Sequence, residues 1–181
     1  VRDTNLTTYN TFPDENEDYW SNTAISTMAA LGVINGRNNG HFDPNANITR
    51  AEFAAICARF DESGVTGITT FTDTNGHWAE EEISRAAALG WIQGYADGTS
   101  RPKQYITRAQ AVTMINRMLC RQPETADDLL NGMRIWSDCQ EGDWFYLAIQ
   151  EATNSHDFTA KDRVHESWTD LNKDPDWSRY E

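Results

Sequence analysis

Two arginines lie at the predicted start of a helix, where their charge has no local use. Arg50 and Arg108 each follow a threonine in the string ITRA, which occurs twice in the chain. A cation in the first turn opposes the helix dipole, whereas the free N–H groups there attract anions. A guanidinium beside those groups adds a bidentate clamp. We therefore predict that both arginines bind an anionic group. The alternative is that each forms a salt bridge with a carboxylate of the chain.

The residues beside the arginines have a structural explanation of their own. Thr49 and Glu52 have the spacing of a capping box, in which each side chain bonds a backbone N–H at the start of a helix. Thr107 and Gln110 repeat that spacing. We therefore predict that both threonines mainly cap helices, and that the binding chemistry belongs to the arginines.

The elements that carry these strings form an internal repeat. When Trp20 is placed over Trp78, the residues that follow align without a gap as far as Ala51 and Ala109. In each copy, apolar residues recur at i, i+3, i+4 and i+7 on both sides of a loop rich in Gly, Asn and Pro. Each copy is therefore predicted to fold as helix, loop and helix.

A third copy of the repeat is partial. Its retained positions are Trp136, Asp138, Trp144 and Ile149. It lacks both the Gly-rich turn and the ITRA string. We consider residues 159–162 as a replacement helix cap, with Lys161 or Arg163 supplying the charge.

Three tryptophans, Trp20, Trp78 and Trp144, each precede a predicted helix. They either cover the core at the end of that helix or stack on the apolar face of a sugar ring. For the tryptophans on their own we favour core packing, and the sugar-binding alternative stays open.

Composition limits the classes of partner. The chain has 181 residues with 28 acidic and 15 basic side chains, a net charge of −13. Such a field repels phosphate backbones, so we expect neither nucleic acid nor an anionic membrane as a partner. No apolar run is long enough for membrane insertion. The first residues do not resemble a signal peptide, so we expect either a processed protein or a piece of a longer one.

Known catalytic and metal-binding patterns do not occur in the sequence. The four histidines are His41, His77, His156 and His165. No two of them are four residues apart, and none belongs to an HExxH motif. We expect no catalytic residues, no metal site and no cofactor. Cys57 lies on an apolar helical face and is predicted to be core. Cys120 and Cys139 either form a disulfide across a loop or remain free thiols.

The order of these motifs resembles the S-layer homology domain. The segments that carry the resemblance are FPDENEDYW…ALGVINGRNNGHFDPNANITRAEF and FTDTNGHWAEE…ALGWIQGYADGTSRPKQYITRAQ. The resemblance implies a mainly all-α fold, with helix–loop–helix repeats in a pseudo-threefold arrangement around a central helical bundle. It also implies that grooves between repeats bind a secondary cell-wall polysaccharide, often one that carries ketal-linked pyruvate.

The resemblance also implies a set of ligand-binding residues. Arg50 and Arg108 would clamp the carboxylate. Tryptophans and aspartates would line the grooves, and glycines would let the backbone approach the sugar. These further residues are Trp20, Trp78, Asp14, Asp73, Gly36, Gly94 and Gly98.

We divide the chain by these patterns and predict its role from them. The segments are an N-terminal extension (1–11), repeat 1 (12–62), repeat 2 (71–120), a polar linker (121–135), and a degenerate third repeat with a tail (136–181). We predict an extracellular, non-catalytic module that anchors a larger surface protein to cell-wall polysaccharide. The alternative is a structural or protein-binding module that has lost polymer binding.

Overall fold

The computed structural model describes residues 12–16, 18–61, 63–66 and 70–174. Its helices and strands, in chain order, are α1 (Asn22–Ala30), α2 (Arg50–Phe60), α3 (Glu80–Ala88), α4 (Arg108–Leu119), β1 (Gln122–Pro123), a 3₁₀ turn (Ala126–Asp128), α5 (Tyr146–Thr153), β2 (His156–Ala160) and β3 (His165–Leu171). The predicted N-terminal extension, 1–11, and the end of the tail, 175–181, lie outside the described residues.

Repeats 1 and 2 fold as helix, loop and helix, as the periodicity predicts. The second helix of each begins with a capping box. The Thr49 side chain accepts the Glu52 N–H, and the Glu52 carboxylate accepts the Thr49 N–H at 2.7 Å. Thr107 and Gln110 make the same two bonds at the start of α4. Both predicted caps are therefore confirmed.

The core lies where α2 packs on α3. It contains small side chains of α2, the Ile83 side chain of α3, and Trp91 and Met114 from the rest of repeat 2. Small residues let the two helices approach closely. Cys57 belongs to this core, and burial raises the pKa of its thiol to about 12. A thiol with so high a pKa is inert, which agrees with the predicted core position.

The prediction of an all-α, pseudo-threefold fold is wrong. Within the described residues, the third copy has one helix, α5, and then a β-hairpin where the earlier copies have their second helix. β3 pairs antiparallel with β2 and parallel with β1, which gives a mixed sheet in the order β1-β3-β2. The segment 121–135, predicted as a linker, therefore contributes a strand to this sheet.

The hairpin forms because its turn and strands are locally consistent. Residues 159–162 do not cap a helix, since they end β2 and enter the turn. Asp162 accepts the N–H groups of Val164 and His165, both at 2.7 Å. The Lys161 ammonium is held by the carboxylates of Glu124, at 2.7 Å, and of Asp128. Its charge is therefore used inside the fold.

All three cysteines are free thiols, so the disulfide that we considered between Cys120 and Cys139 is not formed. Cys120 is exposed at the end of α4 and Cys139 is buried. No described helix is both long and apolar enough to cross a bilayer.

Candidate ligand-binding cleft

A cleft of about 280 Å³ lies between repeats 1 and 2 and the third copy. Its wall is formed by the start of α2, the loop after α3, one face of α4 and Trp144, which lies two residues before the start of α5. Its lining residues are Arg50, Trp91, Ile92, Gln93, Gly94, Tyr95, Gln110, Thr113, Met114, Arg117 and Trp144. We call it the Arg50 cleft.

The Arg50 cleft is cationic although the chain as a whole is acidic. Its lining contains Arg50 and Arg117 and no carboxylate, in a chain of net charge −13. Burial lowers the pKa of both guanidinium groups, which nonetheless keep their proton. A cation that is partly removed from water attracts an anion more strongly than a fully hydrated one. The cleft is therefore suited to an anionic group.

Arg50 is held by neutral partners. Its Nε donates to the Ser100 carbonyl at 2.8 Å, and its guanidinium carbon lies 4.9 Å from the centroid of the Tyr95 ring. Within the described residues it has no ion pair, and its two Nη nitrogens have no hydrogen bond. The salt-bridge alternative therefore does not apply to Arg50.

The backbone at the start of α2 is not available to a ligand. The N–H groups of Arg50 and Ala51 donate to the carbonyls of Gln104, at 2.8 Å, and Pro102, at 3.1 Å. The expectation that free helix N–H groups assist the arginine is therefore wrong at α2. Any anion in the cleft would contact the side chain of Arg50.

Arg108 lies elsewhere, on an exposed surface. It is absent from the lining of the Arg50 cleft. In the part of the chain that the structure describes, its side chain makes neither a hydrogen bond nor an ion pair. The structure therefore separates the two arginines that the repeat makes equivalent in sequence.

The three repeat tryptophans are on the surface, so core packing was the wrong choice for them. Their exposed fractions are 58% for Trp20, 61% for Trp78 and 66% for Trp144. Trp144 lines the Arg50 cleft, and Trp78 lines a second cleft of about 390 Å³ beside Glu52 and Lys103. Exposed indoles of this kind offer a flat apolar face to a ligand.

Asp73 acts on the Arg50 cleft through the backbone. Its two carboxylate oxygens accept the N–H groups of Ser100, at 2.8 Å, and Arg101, at 2.7 Å. Arg101 has a φ of 52°, a left-handed conformation that these bonds help to hold. Since the Ser100 carbonyl positions Arg50, Asp73 supports the arginine indirectly.

Asp14 does the same for the loop of repeat 1. Its carboxylate accepts the N–H groups of Phe42, at 2.9 Å, and Asp43, at 2.7 Å. Partial desolvation raises the pKa of Asp14, but these backbone bonds outweigh it and the pKa lies below its usual value. Direct ligand contact by either aspartate stays a prediction, and the contacts observed are with the loop backbone.

The predicted glycines are required by internal packing. Gly36 and Gly94 have φ of 67° and 66°. A Cβ on Gly94 would overlap the Phe71 ring and lie 2.8 Å from the Thr99 carbonyl, and Gly36 has the equivalent contacts. Of these two, Gly94 also lines the Arg50 cleft. Gly98 has φ of 79° and accepts the Thr72 N–H, so it shapes the same loop.

The residues of the cleft wall that sequence reasoning missed include Tyr95, Gln110 and Arg117, whose polar groups face a ligand in the proposal below. Tyr95 accepts a hydrogen bond from the Gln110 amide at 3.2 Å, which leaves the phenol proton able to donate. A comparison of the two repeats could have found the first two, because Arg37 and Glu52 occupy their positions in repeat 1. No sequence signal distinguishes Arg117 from its counterpart in repeat 1.

Comparison with known proteins agrees with the motifs. The sequence model of the S-layer homology domain matches residues 11–54 and 70–112. This chain belongs to the S-layer homology family.

Relatives in this family share most of the chain. It is 34% identical over 164 residues to Cell surface glycoprotein 1 of Acetivibrio thermocellus, which covers 83% of the chain and 7% of that protein. It is 36% identical over 155 residues to the Cellulosome-anchoring protein of the same organism, which covers 82% of the chain and 33% of that protein. The Surface layer protein of Brevibacillus choshinensis is 34% identical over 60% of the chain and 10% of its own length.

The chain thus spans a third or less of the length of these relatives. Membership in the S-layer homology family places it at the cell wall or cell surface and supports a role in cell-surface anchoring. An Endoglucanase from Bacillus shares 28% identity over only 12% of its length. A matching segment that is so small a part of an enzyme is consistent with a non-catalytic module.

Proposed function

We propose that this chain anchors a larger protein to the cell wall by binding an acidic polysaccharide in the Arg50 cleft. One observation carries the proposal. The cleft contains Arg50 and Arg117 and no carboxylate, although the chain carries a net charge of −13, and an exposed tryptophan forms one wall. A cation beside an aromatic face recognises a sugar that bears an acid.

Each wall of the cleft has a chemical role in this proposal. The carboxylate of the polymer, such as that of a pyruvate ketal, pairs with the free Nη nitrogens of Arg50. The apolar face of the sugar ring stacks on Trp144. The Tyr95 hydroxyl donates its proton to a sugar hydroxyl, since it already accepts from Gln110. In this proposal the polymer uses hydrogen-bond donors and an aromatic face that internal contacts position but do not fully occupy.

In this proposal each of the three predicted segments, repeat 1, repeat 2 and the degenerate third repeat (called the third unit below), supplies part of the binding site. Repeat 1 (12–62) supplies Arg50, repeat 2 (71–120) supplies the loop and α4, and the third unit (136–181) supplies Trp144. The third unit has lost its ITRA string but keeps the tryptophan that completes the cleft. We propose that Arg108, Trp20 and Trp78 make only weak, secondary contacts, with a polymer that is long enough to extend beyond the cleft.

A protein-binding role is the second candidate. It is favoured by the loss of the second helix in the third unit, where a hairpin with the exposed side chains of Phe158 and Leu171 has replaced it. In that case the purified chain would not bind polysaccharide and would retain a protein partner at the cell surface.

Retention on purified cell-wall sacculi tests the first candidate. We expect Arg50→Ala to weaken retention at least about tenfold, because a charged hydrogen bond contributes about 1.5–3 kcal/mol. Arg108→Ala is the matched control, and we expect it to change retention less than about twofold because that side chain is outside the cleft. Equal effects of the two variants would refute the Arg50 cleft. No retention of the unmodified chain would favour the protein-binding role.

The acid on the polymer can be tested separately. Mild acid treatment of the sacculi removes ketal-linked pyruvate and leaves most glycosidic bonds. We expect this treatment to abolish retention of the unmodified chain. Retention that persists, and that still depends on Arg50, would show that a different acidic group on the polymer pairs with the arginine.

A further inference from the structure

A buried cluster of ionisable side chains lies far along the chain from Arg50, where α5 meets the hairpin. Glu151 comes from α5, His156 from β2 and Glu166 from β3. The His156 Nε2 is 3.0 Å from a Glu166 oxygen and 3.3 Å from a Glu151 oxygen. The three side chains are 2%, 0% and 2% exposed respectively. Charges this deeply buried are stable only when they are paired or bind a cation.

The backbone determines which nitrogen of His156 faces the carboxylates. Its Nδ1 lies 2.8 Å from the Asn154 carbonyl, which can only accept a hydrogen bond, so Nδ1 carries the proton. In a neutral imidazole, Nε2 then directs its lone pair at the two carboxylates. Those atoms repel one another unless a cation lies near them, and the cation present in the structure is the Arg121 guanidinium, whose Nη2 is 3.3 Å from His156 Nε2. A metal-binding histidine is typically fixed in the same way, by a bond from its other nitrogen to a carbonyl.

The two carboxylates are also held by neighbours. The Trp168 indole N–H donates to one Glu151 oxygen at 2.9 Å, and the Trp168 ring stacks on His156 with centroids 4.1 Å apart. The Arg121 Nη2 contacts the other Glu151 oxygen at 2.9 Å and also lies beside His156 Nε2. One buried oxygen of Glu166 has no hydrogen-bond partner in the described chain, and the nearest Arg121 nitrogen is 3.8 Å away. The cluster thus holds possible metal-ligand atoms in fixed orientations, and one buried carboxylate oxygen of Glu166 has no hydrogen-bond partner among the described residues.

We propose that Glu151, His156 and Glu166 bind a divalent transition metal ion such as Zn²⁺. In a tetrahedral zinc site with bonds of about 2.0–2.1 Å, the ligand atoms lie about 3.3–3.4 Å apart. The observed separations of 3.0 and 3.3 Å are close to that spacing. Nitrogen and carboxylate oxygen are common zinc ligands.

Charge balance is compatible with a divalent ion. Two carboxylates and the Arg121 guanidinium sum to one negative charge, which a divalent ion more than neutralises. The Arg121 side chain is 42% exposed, so its guanidinium can turn towards solvent and leave His156 Nε2 to a metal ion. The Glu151 oxygen that faces His156 accepts the Trp168 N–H and has a second lone pair for the metal. A bound ion would fasten α5 to the hairpin and stabilise the third unit.

Sequence spacing does not reveal the cluster. The three ligands are five and ten residues apart and come from three different elements. They meet only because the hairpin folds back on α5. The sequence-based expectation of no metal site rests on helical spacing of histidines, which this cluster does not use.

The proposal is tested by titrating the chelator-treated chain with Co²⁺, followed by displacement with Zn²⁺. Protein-bound Co²⁺ in a tetrahedral site absorbs strongly in the visible range. We expect one ion per chain, still present by elemental analysis after desalting. His156→Gln should weaken binding at least about tenfold, as Glu166→Gln should. His165→Gln is the control, because that histidine lies in the same hairpin but contacts Asp162 at the surface.

Two results would overturn the site. The first is an unmodified chain that retains no metal after desalting at neutral pH. The second is binding by His156→Gln and Glu166→Gln that matches the unmodified chain. Circular dichroism checks that each variant folds. If neither His156→Gln nor Glu166→Gln folds, metal retention by the unmodified chain decides whether the site exists.

Discussion

The loop regions of repeats 1 and 2 share a backbone but differ in electrostatics. In repeat 1, Arg37 is neutralised by two carboxylates. Its Nε is 3.0 Å from Asp43 and its Nη1 is 3.1 Å from Glu52. Arg37 and these two acids therefore neutralise one another, so among the described residues Arg37 has no unpaired charge to offer an anionic ligand.

In repeat 2 the three corresponding positions hold Tyr95, Arg101 and Gln110. Tyr95 bonds the Gln110 amide at 3.2 Å, and the Arg101 guanidinium carbon lies 3.8 Å from the Tyr95 ring centroid. No carboxylate lines this cleft, and Arg50 keeps its Nη nitrogens free within the described chain. The two repeats thus share a backbone but differ at three positions. In repeat 1 the charges at these positions pair with one another, and in repeat 2 the cleft can accept an anion.

The shared scaffold predicts the largest effect. Gly94→Ala should destabilise the chain by about 2–4 kcal/mol, because the added Cβ overlaps Phe71 and a left-handed φ disfavours alanine. Gly36→Ala should cost as much, since its contacts are equivalent. Gly90→Ala is the control: its φ is 76° but nothing lies near the new Cβ, so only about 1 kcal/mol is expected. Equal losses for Gly94 and Gly90 in urea unfolding would contradict the packing role.

Substitution of the loop aspartates separates effects on stability from effects on polysaccharide binding. Asp73→Ala removes two backbone bonds to a carboxylate that is partly exposed, so we expect a loss of about 1–2 kcal/mol in unfolding free energy. Because Ser100 then shifts, retention on sacculi should also fall. Asp14→Ala removes the equivalent bonds in repeat 1 and should lower the melting temperature without weakening retention. If both variants weaken retention equally, the two loops contribute equally to binding.

The electrostatic difference can be reversed at one position. Gln110→Glu gives repeat 2 the residue that repeat 1 has at this position, Glu52. The change adds a carboxylate to the Arg50 cleft and keeps the capping box intact. We expect retention on sacculi to fall about tenfold with little change in stability, since a nearby carboxylate competes for the cation. Glu52→Gln is the matched control and should leave retention unchanged. Retention that is insensitive to Gln110→Glu would exclude this cleft as the anion site.

The smallest effect concerns the turns of the two loops and depends on pH. Bonds from Thr99 and Arg101 lower the pKa of Asp97 to about 2, whereas repeat 1 has Asn39 at this position. Because the pKa of Asp97 is lower in the folded than in the unfolded chain, its carboxylate stabilises the fold at a pH above the unfolded pKa of about 4. That stabilisation is lost as the pH falls through the folded pKa of about 2. Asp97→Asn should therefore lower the melting temperature slightly at pH 7 and by much less at pH 2. A deficit that is constant with pH would show that charge is not involved.

Most of the local structure of this chain could be predicted from its sequence. The capping boxes, the helix–loop–helix copies and the separate character of the third copy all depend on contacts between residues a few positions apart. The prediction failed for the third copy. There, β3 pairs with β1, a segment that precedes α5, so the fold of the hairpin depends on a strand that residues 136–181 do not contain.

The candidate site was predictable only in part. Sequence identified Arg50 as a misplaced charge, but it made Arg108 equivalent, and only the tertiary structure shows one arginine in a cleft and the other on open surface. Spacing also does not tell whether Gly94 or Asp73 faces a ligand or the protein itself.

Sequence alone therefore determined the repeat, the caps and the family, because these follow from short-range patterns of residue type. The tertiary structure decided which charges stay unpaired, because pairing depends on which distant segments meet. Arg50 and Trp144 line one cleft only after three units pack, and Glu151 meets His156 and Glu166 only after the hairpin folds back. Desolvation and distance, which set the strength of each charge, exist only in the folded chain.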